Sequence, residues 1–110
     1  MENKIDPIAC CDYIRDHAYE YAQAKANVTY MTEYRKTIKS ELMQRSESKT
    51  DAQKEAYAYA HAEYKKHLED LAYAIQKFET FRWMMVAAEA KIEIWRSLEA
   101  SARAEGRATQ

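Results

Sequence analysis

The sequence predicts an all-α fold: a long antiparallel helical hairpin that oligomerises into a helical bundle, in its simplest form a dimeric four-helix bundle. Three observations carry this. One Gly and one Pro in 110 residues leave almost no turn material, and the remainder is rich in helix formers. Only Ser46 to Thr50 (SESKT) reads as a turn. The stretch Leu71 to Trp95 holds six consecutive apolar residues, Trp83, Met84, Met85, Val86, Ala87 and Ala88. At 3.6 residues per turn such a run points all the way round the helix. A helix apolar all round is expected to be buried all round, and one partner helix cannot do that.

Asp6-Pro7 marks the first helix start, with Asp6 as N-cap and Pro7 in the first helical position. Cys11, Ile14, Ala18, Tyr21, Ala24, Val28, Met31, Arg35, Ile38 and Leu42 then step by three and four along one face. Arg35 interrupts the stripe, but its stem can lie on apolar surface. The helix is expected over about 7–46. After the turn at 46–50, Thr50 and Gln53 have capping-box spacing, so a second helix should run over about 51–104. Between Ala56 and Ala60, AYAYA alternates like a strand, yet alanine and the absence of a hairpin partner favour helix. Tyr57, His61 and Tyr64 lead into Leu68 and Leu71; Ile75, Phe78, Phe81, Met85, Ala88, Ile92 and Trp95 continue the stripe. Gly106 is the expected stop, with 105–110 as a frayed tail.

The two helices would span roughly 60 and 80 Å. Pairing Ser46 with Asp51 sets Pro7 opposite about Ala90, so the segment holding Ile92, Ile94, Trp95 and Leu98 overhangs. An apolar overhang needs a cover. Either a second copy supplies it, or a break near Ala60–Ala62 slides the register; no breaker residue stands there, so oligomerisation is expected. The expected interface is Phe81, Trp83, Met84, Met85, Ile92, Trp95 and Leu98.

The formal net charge is −1, which gives no overall pull toward nucleic acid or a membrane surface. The longest apolar run is six residues, too short to span a bilayer. MENKIDPIACC has no long apolar region, so no signal peptide is expected. Cys10 and Cys11 are adjacent and without other cysteines, which points to a reducing compartment, the cytoplasm.

Chemistry finds little to work with. His17 precedes Glu20, reversing the Glu-x-x-His arrangement of helical metal sites, and Glu63 with His67 makes a single pair. A chain with one Gly cannot build a phosphate-cradling loop. No metal, cofactor or catalysis is expected. The residues between 30 and 66 are more suggestive. Tyr34, Lys36, Lys39, Arg45, Tyr57, Tyr59, Lys65 and Lys66 should gather toward the turn end of the hairpin. Rings beside cations are the ingredients of a single-stranded DNA surface, and exposed tyrosines also anchor protein partners. The plainest reading is a solvated face offset by Glu33, Glu41, Glu47, Asp51, Glu55 and Glu63; protein docking comes next and nucleic acid third.

The strings EYKKHLEDL (Glu63–Leu71) and KIEIWRSLEASARAEGRA (Lys91–Ala108) resemble small helical proteins of tailed bacteriophages, encoded in early regions near recombination and single-strand annealing genes. The resemblance covers roughly the C-terminal half and rests on IEIWR and an Arg-containing helical end. It implies a phage accessory protein acting in the host cytoplasm and favours the DNA-related reading, which together with the lack of catalytic motifs gives a non-catalytic accessory of DNA recombination or replication. It fits equally a small inhibitor binding a host defence complex of nuclease or CRISPR type. It carries no functional residues across.

Overall fold

The structure, a computed structural model, describes residues 4–108. Among them the chain forms α1 (Pro7–Arg45), α2 (Asp51–Ala60) and α3 (Ala62–Ala108), with no strand. Asp6 Oδ1 accepts from the backbone N–H groups of Ile8 and Ala9 at 3.0 and 3.1 Å, so α1 starts where Asp6-Pro7 placed it. Thr50 Oγ1 accepts from the Gln53 N–H at 3.2 Å and caps α2.

The second helix is not continuous. His61 takes an extended conformation (φ −72°, ψ 141°) and divides it into α2 and α3. The reason lies in what must face inward. Ala58 is fully buried, His61 and Tyr64 are half-buried, and His67 is buried again. Steps of three lag an α-helix by about 60° each, so an unbroken helix would set Ala58 and His67 on opposite sides. The break at His61 resets that phase. The His61 ring then serves as an N-cap, its Nδ1 accepting from the Glu63 N–H at 3.1 Å. At the other end, α3 passes through Gly106 to Ala108 instead of stopping or fraying from 105. A Cβ on Gly106 would meet nothing within 4 Å, so this position requires no glycine. The last two residues of the expected tail lie outside the described residues.

The chain divides into two units, Ala22–Glu79 and a second that joins residues 4–21 to 80–108. In the first, Arg45 reaches Glu63 and Met31 meets His67, so α1 and α3 run antiparallel as a hairpin. Its covered residues are Ala24, Leu42, Ala58, Leu71, Ala74 and His67. His67 Nε2 donates to the Met31 carbonyl at 2.7 Å, which satisfies a polar group that burial would otherwise penalise. Ile75, expected on this stripe, is exposed instead and Ala74 faces inward. In the second unit Ala88 is the one buried apolar residue. Cys10, Tyr13, Ile14 and His17 are half-buried there, while Cys11 and Ala18, expected inside, are exposed. Both cysteines are free thiols.

Candidate interaction surfaces

Two surfaces collect the residues singled out above. The first belongs to Ala22–Glu79. Here the cations expected to meet phosphate are engaged with carboxylates of the chain itself. Lys36 pairs with Glu33 at 3.1 Å, Lys39 with Glu55 at 3.4 Å, Arg45 with Glu63 at 2.7 Å, and Lys66 with Asp70. Tyr59, then Glu55, hold the Lys39 ammonium above its ordinary pKa, and Asp70 raises that of Lys66. The Arg45 guanidinium lowers that of Glu63. Lys65 is exposed.

The rings are engaged as well. Lys39 Nζ lies 4.9 Å from the centroid of Tyr59, and Tyr64 meets the same ring edge-on at 5.2 Å. Tyr34 stacks on Tyr30 at 5.6 Å and tilts against His67. Tyr57 meets the His61 ring edge-on. These tyrosines stay partly exposed, but neighbours of the same chain already occupy part of their faces. Exposed ion pairs contribute little stability and exchange readily, so phosphate contact is not forbidden. The surface is nonetheless close to neutral, with ten Lys/Arg against nine Asp/Glu in Ala22–Glu79.

The second surface lies on α3 between residues 83 and 98. At 100° per residue, Phe81, Met85, Ala88, Ile92 and Trp95 share one side of the helix, and each is buried or half-buried. Trp83, Ala87, Ala90 and Ile94 fall within about 60° of one another on nearly the opposite side, with Leu98 and Met84 beside them. That side is uncovered: Trp83 is 59% exposed, Met84 51%, Ile94 51% and Leu98 60%. The seven expected interface residues are therefore split between two faces. Phe81, Met85, Ile92 and Trp95 point inward, whereas Trp83, Met84 and Leu98 point out. Within the single chain, the run Trp83–Ala88 is covered on one side only. Sequence reasoning passed over Ala87, Ala90 and Ile94 as members of this outer stripe, although their steps of four, three and four from Trp83 were open to view.

Beside the stripe, Met84, Ala87, Ala88 and Lys91 of α3 and Ala9, Cys10 and Tyr13 of α1 line a groove of about 290 Å³. Its floor is apolar, with the Lys91 amine as the one charged group. Among the described residues no three of His, Cys, Asp and Glu come together as a metal site would require. Nor is any described helix long and apolar enough to cross a membrane. No family model matches the chain, and no curated protein or solved structure is similar to it.

Proposed function

We propose that this chain is a non-catalytic interaction protein, an accessory of phage DNA recombination or replication, that works by presenting the outer face of α3 to protein. The observation that carries this is the row of large apolar side chains, Trp83, Met84, Ile94 and Leu98, left in water along that face. A contiguous exposed apolar patch on a soluble chain is the usual mark of a protein-binding surface. The phage setting rests on the resemblance around IEIWR and on nothing in the geometry. Direct contact with single-stranded DNA ranks below protein contact, because the turn-end cations are already compensated within the chain.

The test is a double substitution, Trp83→Glu with Ile94→Glu. Both residues are more than half exposed, so helix content and single-chain melting should stay close to the wild type, while assemblies trapped by crosslinking in producing cells should disappear. Loss of helix in this variant would mean that the stripe belongs to the interior of the chain, and the reading would fall. A companion measurement addresses DNA: the wild type should show no steeply salt-dependent binding to a single-stranded oligonucleotide, which phosphate neutralisation would produce.

A further inference from the structure

We infer that the outer face of α3 pairs with the same face of a second copy, antiparallel, about a two-fold axis level with residues 88 and 89. The inference rests on the protein-docking reading above and names the occupant. Its first support is a spacing that reads alike in both directions. Trp83, Ala87, Ala90 and Ile94 step by four, three and four, with large side chains outside and alanines inside. A two-fold axis perpendicular to the helix maps such a row onto itself. It sets Trp83 against Ile94 of the second copy and Ala87 against Ala90 of the second copy. The central alanines let the two backbones approach, and the outer pairs close over both ends.

The flanks agree with this register. In an antiparallel pair the same edge of each helix meets itself. Arg82, whose guanidinium now lies 4.6 Å from the Trp83 ring centroid, shares one edge of α3 with Glu93, and the pairing brings Arg82 of each copy beside Glu93 of the other. Glu93 is now bridged to Arg96 at 2.9 Å, an exposed bridge that exchanges at little cost. On the other edge, Lys91 would lay its stem along Met84 of the second copy. A parallel pair would stack Trp83 on Trp83, set the alanines at equal levels and bring Glu93 beside Lys91 of the other copy, so the choice of orientation rests on the two-way spacing of the row and not on charge alone.

The area is sufficient. Trp83, Met84, Val86, Ile94 and Leu98, each 38–60% exposed, leave on the order of 100 Å² apiece in water. Two copies meeting here would remove about 1,000 Å², where specific interfaces begin. Each hairpin then contributes two helices to a four-helix assembly.

The experiment uses the full chain. Light scattering at tens of micromolar should give twice the chain mass. For orientation, Cys10 and Cys11 are replaced by Ser, and Ala87→Cys and Ala90→Cys chains are mixed and oxidised. The mixed 87–90 disulfide should dominate when the products are mapped by mass spectrometry. A monomeric wild type would overturn the inference, as would a predominance of 87–87 and 90–90 disulfides, the mark of a parallel pair. A monomer whose Trp83→Glu, Ile94→Glu form still folds would leave the face to a different protein, so the broader reading would survive the failure of this one.

Discussion

The two units solve the problem of a thin helical layer in opposite ways. In Ala22–Glu79, five apolar side chains and His67 are buried. The ion pairs Lys39–Glu55 and Arg45–Glu63 tie α1 to the segments after the turn. This unit finds its partners within itself. The unit that joins 4–21 to 80–108 buries only Ala88 among its apolar residues and leaves Trp83, Met84, Ile94 and Leu98 in water. Two helices touching along one seam can each cover only one stripe. The large side chains that Ala22–Glu79 exposes are mostly tyrosines, with Leu68 and Ile75, whereas between 83 and 98 they are Trp83, Met84, Val86, Ile94 and Leu98. The comparison teaches that apolar side chains left exposed on one side of a helix are the place to test for assembly, and that cations paired within the chain need not mark a ligand.

The sharpest way to break the comparison is to truncate one large apolar residue in each unit. Leu42 is fully buried, so Leu42→Ala should cost about 2–5 kcal/mol in chemical melts followed by circular dichroism. Trp83→Ala should move the single-chain melt by no more than about 0.5 kcal/mol, as a surface change does. Its effect should appear instead in the concentration dependence of melting. Equal losses for the two variants would erase the distinction between the units.

The caps probe how locally the unit around the turn is specified. Thr50→Ala should destabilise by about 1 kcal/mol, the usual loss for removing a capping hydroxyl. His61→Ala removes the ring acceptor of the Glu63 N–H and should fall in the same range, whereas His61→Asn should recover most of it. Amide exchange at Glu63 reads the second effect directly. No change in protection there would mean that the break at His61 holds without its cap.

The smallest effect concerns the ion pair Arg45–Glu63. The pKa of Glu63 lies below its ordinary 4.5 because Arg45 favours the carboxylate. Its contribution is therefore fully present above the unfolded value and is lost as pH falls through the lower folded value. Glu63→Gln should melt slightly below wild type at pH 7, and the difference should close on acidification or in high salt, since the pair is exposed. A difference unchanged by both would assign the loss to packing.

By itself the sequence determined what depends on neighbours within one helical turn. Asp6-Pro7 starts α1, Ser46–Thr50 interrupts the chain and Thr50 caps α2, each through backbone groups a few residues away. The absence of turn formers made the rest helical, and the ordering of the two long arms follows from their length and the short connection. The tertiary structure alone decided which way the helices face. The steps of three from Ala58 to His67 were visible as letters, but only a partner surface at Leu42 and Met31 gives them a reason to break the helix at His61. The same holds for α3 between 81 and 98. Two apolar stripes compete there for one seam, and helical propensity is blind to which of them wins. The outcome shows at Ala88, which is buried and lines one groove with Ala9, Cys10 and Tyr13 of α1, residues about eighty positions away in the chain.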